Sequence, residues 1–153
     1  MITDKNQFFS INDLMPLISE TIAEGRSIRF SVTGNSMFPL FVNRRDSVTV
    51  STPETIKKYD IVLHRRVDGT YIMHRVISKR GDLLTIAGDN ENEKERNVPV
   101  NAVVAKVTSF NRKGREYNMK ELHYRLYCHL WLAVFPFRLG ILDMMISLRR
   151  RFG

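Results

Sequence analysis

A single cysteine, Cys128, stands in 153 residues, so no disulfide can form within the chain and a zinc site built on cysteines is excluded. The four histidines, His64, His74, His123 and His129, form no His-Glu-x-x-His pattern, and the expectation is that the chain has neither metal nor cofactor. Met1–Gln7 lacks the basic start and apolar core of a signal peptide. Long apolar runs are also missing. The longest, Leu130 to Phe137, falls far short of the ~20 residues that cross a bilayer, so no standard transmembrane helix is expected. Internal repeats and low-complexity tracts are absent, which excludes solenoids and disordered tails. The expected location is cytoplasmic or peripheral at a membrane.

What is present suits one folded domain: 43% hydrophobic and 26% charged residues, with a net charge of +8. The charge is uneven. From Asn111 onward nine Lys/Arg face three Asp/Glu, a net +6, which leaves only +2 for the first 110 residues. Residues 1–26 read as a helical segment, with Ile11, Leu14, Met15, Ile18 and Ile22 at helical spacing over roughly 11–24. Ser10 or Asn12 is placed to cap the helix, Gly25 to end it, and Pro16 argues for a start at Asp13. Residues 27–110 read as a mainly β domain, with strands near 27–33, 47–51, 59–66, 70–79, 82–87 and 100–110 and a hairpin turn at Asp68-Gly69. The run from Gly88 to Asn97 has no apolar residue and reads as an exposed loop. Residues 111–153 read as a basic, apolar appendage of two helices broken at Pro136, able to leave a chain ending near Lys120 folded by itself.

Ser36 is the most suggestive residue. It lies in Thr33-Gly34-Asn35-Ser36-Met37-Phe38-Pro39-Leu40, just after a strand-like run, where Gly34 can take a positive φ and Pro39 fixes a bend. A serine hydroxyl becomes a useful nucleophile only when a base takes its proton. His74, in Tyr71-Ile72-Met73-His74-Arg75-Val76-Ile77, would sit on a rigid strand, and an unperturbed imidazole titrates at about 6.5 and is largely a base at pH 7.

The boxes Gly34–Leu40, Arg45–Val50, Tyr59–Leu63, Tyr71–Ile77 and Gly88-Asp89-Asn90, in that order, resemble the type I signal peptidases and their relatives. The resemblance covers about 27–110. It implies a signal-peptidase/LexA-like β fold and a serine endopeptidase that cleaves a leader or signal segment after small residues, with a peptide or preprotein as partner. It places the nucleophile on Ser36. A histidine where bacterial housekeeping members carry lysine puts His74 with the endoplasmic-reticulum and archaeal type. It implies an orienting carboxylate at Asp89, with Glu95 as the alternative. The Ser36 backbone N–H would serve the oxyanion hole. Gly34 replaces a hydroxyl that some relatives use there, leaving Thr33 or Asn35 as substitutes. Met37 and Pro39 would shape the substrate cleft.

The LexA-like repressors are cousins that use lysine as the base and carry a DNA-binding domain, which this chain lacks. The rival expectation is a catalytically inactive binding module of the same fold. The basic tail accompanies no nucleic-acid motif, so no specific nucleic acid is expected. Residues 124–151, with Tyr124, Tyr127, Trp131, Arg138 and Arg149 to Arg151, suit an anionic membrane surface.

Overall fold

Residues 8–152 are described in a computed structural model; the reading of Met1–Gln7 lies outside them. Helix α1 (Ile11–Ala23) starts where Ser10 Oγ accepts the Asp13 N–H at 3.2 Å and Asp13 Oδ2 accepts the Ser10 N–H at 3.1 Å. That exchange satisfies two donors a helix start leaves open. Gly25, at φ +72°, ends the helix by donating to the Ile22 carbonyl while Arg26 donates to that of Thr21. Both caps match the expectation, but the helix begins before Asp13, and Pro16 stands in its second turn. The proline deprives the Asn12 carbonyl of its helical donor, a cost offset by burying Met15 and Ile18 in the core.

Among the described residues the body is one antiparallel sheet of eight strands: β1 (Ile28–Ser31), β2 (Ser47–Ser51), β3 (Ile61–Arg65), β4 (Tyr71–Arg80), β5 (Leu83–Ala87), β6 (Glu95–Pro99), β7 (Val103–Arg112) and β8 (Arg115–Asn118). Their order is β1-β2-β7-β3-β4-β5-β6, with β8 also paired to β7. The chain is therefore mainly β, with an N-terminal helix and C-terminal helices, as expected. The Asp68-Gly69 turn joins β3 to β4, with Gly69 at φ +88° and Arg66 N–H donating to the Thr70 carbonyl at 2.8 Å. Two strands were not anticipated. β6 begins within the stretch read as an exposed loop and runs two residues past it, and β8 follows a turn at Lys113-Gly114. At the head of that supposed loop, Gly88 and Asp89 are buried.

Alternation along the strands feeds two cores. Ile61, Leu63 and Met73 join Met15, Ile18, Phe41, Val48 and Phe110 in the larger one, while Val62, Val76, Leu84 and Ile86 form the smaller one. His74 and Arg75, neighbours on β4, accordingly serve different surroundings.

The chain closes with α2 (Leu122–Ala133) and α3 (Arg138–Phe152), separated by a short 3-10 turn at Phe135–Phe137 that contains Pro136. The break is where the sequence puts it, but the expected boundary at 110/111 falls inside β7. Moreover, Tyr124 and Cys128 of α2 belong to the larger core. Among the described residues no single helix is long and apolar enough to cross a membrane; α2 and α3 meet length and composition only when taken together, and they are bent by 69°.

Candidate active site around Ser36 and His74

β1 delivers the chain into the Gly34–Leu40 turn, where Gly34 takes φ +89° and its N–H donates to Asn43 Oδ1 at 3.2 Å. Met37 anchors the turn in the larger core, and Phe38 N–H donates to the Asn35 carbonyl at 3.1 Å. Ser36 is half-buried. Among the described residues neither its N–H nor its hydroxyl is engaged in a hydrogen bond, so the proposed oxyanion donor is uncommitted. The Ser36 carbonyl accepts the Asn90 N–H at 2.8 Å. The two backbones approach so closely at Gly88 that a Cβ there would lie 2.5 Å from the Ser36 carbonyl oxygen. Only glycine fits, which explains the residue at that position.

A cleft of about 250 Å³ runs between this turn and the start of β4 and is lined by Thr33, Asn35, Ser36, Met37, Tyr71 and Met73 among others. Of the two residues expected to shape the cleft, Met37 lines it. Pro39 instead borders a separate cavity of about 760 Å³ between the turn and α3.

His74 is fully buried on β4 and stands between two carboxylates. Its Nε2 is 3.3 Å from Glu91 Oε2 and its Nδ1 is 3.6 Å from Glu95 Oε1, contacts without hydrogen-bond geometry. His74 holds Glu91 below the ordinary carboxylate range against the opposing effect of its burial. Glu95 Oε1 also accepts from Arg66 Nε at 2.9 Å and from Arg66 Nη2. His64, on the neighbouring strand, lies with its ring centroid 6.2 Å from that of His74 and is equally buried. Burial pushes its pKa down to about 4, so the ring is neutral at pH 7. His64, His74 and Glu95 each offer one potential metal-ligating atom, all within 4.8 Å of one another.

Asp89 does not reach this group. Arg75 Nε donates to Asp89 Oδ1 at 2.7 Å and Arg75 Nη2 to Asp89 Oδ2 at 2.8 Å, a bidentate pair buried on both sides. Arg75 Nη1 faces the Tyr59 carbonyl, the Tyr124 hydroxyl and Cys128 Sγ at 3.1, 2.9 and 3.0 Å, three acceptors that share its two N–H groups. Burial alone would lower the pKa of Arg75, but the charge of Asp89 overrides it and holds the guanidinium well above its usual value. Tyr127 donates to Asp89 Oδ2 and Trp131 to the Asp89 carbonyl, each at 3.1 Å, while Arg138 Nη2 donates to the Gly88 carbonyl at 2.7 Å. The orienting role expected of Asp89 is thus replaced by a structural one. Asp89 ties the C-terminal helices to the loop that holds Ser36, and the carboxylates beside His74 are Glu91 and Glu95. Glu95 was the sequence alternative. Glu91 was missed, and its only signal was its place one residue after the Gly-Asp-Asn box.

No protein-family model matches this chain, and no curated protein matches it.

Proposed function

We propose that the chain is a serine endopeptidase of the signal-peptidase type, with Ser36 as nucleophile and His74 as general base. The observation that carries the reading is the chain of contacts from the Ser36 carbonyl through Asn90 and Gly88 to Glu91 and His74. The loop from Gly88 to Glu91 thus touches both the turn that carries Ser36 and the imidazole of His74, although 38 positions separate serine and histidine in the sequence. The ordered boxes that resemble type I signal peptidases supply the prior expectation, including the signal-peptidase/LexA-like form of the β fold.

In this reading a peptide lies extended along the cleft between the Ser36 turn and the start of β4, and backbone pairing supplies much of its affinity. Ser36 Oγ attacks the scissile carbonyl carbon as His74 Nε2 takes its proton. The oxyanion that forms meets the Ser36 N–H. His74 then returns the proton to the leaving amine, and water, activated by the same imidazole, frees the acyl group from Ser36. Glu95, facing Nδ1, would hold the tautomer that leaves Nε2 as acceptor. Glu91 must swing off Nε2 for the serine to engage it, and its partly exposed side chain has solvent to swing into. The test is cleavage of a peptide with small residues before the scissile bond by the wild-type chain and not by Ser36→Ala.

The same position of Glu91, together with the uncommitted Ser36 hydroxyl, favours the second reading, an inactive binding module of the same fold. Binding of the same peptide without cleavage by either protein would select it.

The tail reading changes in its residues. Tyr124 and Trp131 are buried, Tyr127 packs beside them, and Arg138 is fully covered, so none of the four is free to meet lipid as expected. The outward stripe Leu122, Leu126 and Leu130 with Phe137 is exposed, as is α3 from Asp143 to Arg151. Arg45, Arg112, Lys113, Arg149 and Arg150 rim the cavity beside Pro39. These apolar and cationic groups suit an anionic membrane surface, at about 1 kcal/mol per charge. Full-length protein should sediment with anionic liposomes at moderate salt, whereas a chain ending after Leu142 stays folded and unbound. A chain ending at Lys120 should not fold, because it strips the cover from Arg75 and Asp89. Equal sedimentation of the full-length chain and the Leu142-ended chain would refute the lipid reading.

A further inference from the structure

We propose that His64, His74 and Glu95 form a binding site for one divalent transition metal ion, zinc by preference. The three residues come from three strands, β3, β4 and β6. In the antiparallel register Val62 faces His74 and His64 faces Ile72, which sets the two imidazoles diagonally on neighbouring strands. Glu95 opens β6 and reaches His74 Nδ1 to within 3.6 Å.

Among the described residues the four ring nitrogens of these two fully buried imidazoles make no hydrogen bond of good geometry, and the two of His74 stand 3.3 and 3.6 Å from carboxylate oxygens of Glu91 and Glu95. Buried polar groups are seldom left so, and an ion is one way to satisfy them. Two neutral nitrogens and one carboxylate oxygen make a donor set that zinc accepts, with a fourth position left for water. Ligand atoms in a tetrahedral zinc site lie about 3.3 Å apart, given bonds of about 2.0 Å. The 4.8 Å limit on the present spacing leaves a closure that side-chain rotation can supply. Arg66 holds Glu95 Oε1, the oxygen 3.6 Å from His74 Nδ1, and among the described residues Oε2 accepts no hydrogen bond. Arg66 would then act as the outer partner that orients the carboxylate.

Metal on His74 occupies the lone pair that a general base needs. Zinc would therefore switch the peptidase off, a consequence that rests on the Ser36–His74 reading, whereas the binding does not.

The test is calorimetric titration of metal-free wild-type protein with zinc chloride, beside His64→Gln, Glu95→Gln and His123→Ala. His123 is an exposed surface histidine next to Glu121 and controls for adventitious binding. Wild type and His123→Ala should bind one zinc ion. His64→Gln and Glu95→Gln should each weaken binding by more than the roughly 10- to 100-fold that loss of an outer-shell partner costs. Cobalt(II) added to the unsubstituted chain should give the strong visible bands of a four-coordinate site, a readout that holds even if a variant fails to fold. No binding by wild type, no such bands, or loss of binding only in His123→Ala would overturn the site. Zinc should also suppress peptide cleavage and a chelator restore it. Zinc binding in a protein that never cleaves leaves the site standing and removes the peptidase reading instead.

Discussion

Asp89→Ala should destabilise the fold by about 3–5 kcal/mol, the cost of leaving one partner of a buried ion pair uncompensated. For a chain near this length that corresponds to a fall in melting temperature of roughly 6–20 °C. The reason is Arg75. Its guanidinium is fully buried, and among the described residues Asp89 supplies the only carboxylate that pairs with it. Tyr127 and Trp131 lose a partner in the same substitution, or hold one on a loosened loop. Replacing both charges, as in Arg75→Met with Asp89→Leu, should recover part of the loss, because a well-packed apolar pair carries no desolvation penalty. Glu95→Gln should move the melting temperature little, since the half-exposed pair with Arg66 contributes about 0–1 kcal/mol. Thermal unfolding of the four proteins checks the assignment. If Asp89→Ala melts like wild type but is inactive, Asp89 is catalytic after all and the structural role given to it is wrong.

The second large effect is on activity. Ser36→Ala and His74→Ala should each lower cleavage by at least about 10³-fold, as removal of nucleophile or base does when the two act as a unit, and the double variant should be little worse than either. Ser36 lies half-exposed on a turn, so its alanine variant should keep the wild-type melting temperature. His64→Ala should retain cleavage, because that imidazole has no part in the proposed reaction. His74→Lys asks more of the site, because an ammonium serves as base only where burial lowers its pKa, and His74 is fully buried. Kinetics on purified variants that share the wild-type fold would decide the matter.

The fold was legible where local chemistry dictates it. Ser10 and Gly25 mark the ends of α1, Asp68-Gly69 marks the β3–β4 hairpin, and Pro136 marks the break before α3. β6 was hidden because it has almost no apolar residues and is held by its backbone ladder to β5, a tertiary fact with no periodic signature. The same limit governed the site. Ser36 and His74 could be singled out from their turn and strand, but which acid faces the imidazole depends on how the chain from Gly88 to Glu95 folds back. Asp89 was the natural choice from the sequence, and it is captured by the residue next to His74, whose side chain alternation sends elsewhere. Residues of the tail were misread for a related reason: Tyr124, Trp131 and Arg138 look like headgroup anchors in isolation, yet they close over Arg75, Asp89 and Gly88. The cluster of His64, His74 and Glu95 was beyond sequence motifs altogether, since its members are spaced by register across strands.

The central claim is that Ser36 cuts peptide bonds. It is tested most directly by a cleavage profile of the metal-free chain on a peptide library, run beside Ser36→Ala. The account predicts discrete cuts with small residues on the acyl side of the scissile bond, all of them absent from the Ser36→Ala profile. An uncut library, or the same cuts from Ser36→Ala, would contradict it.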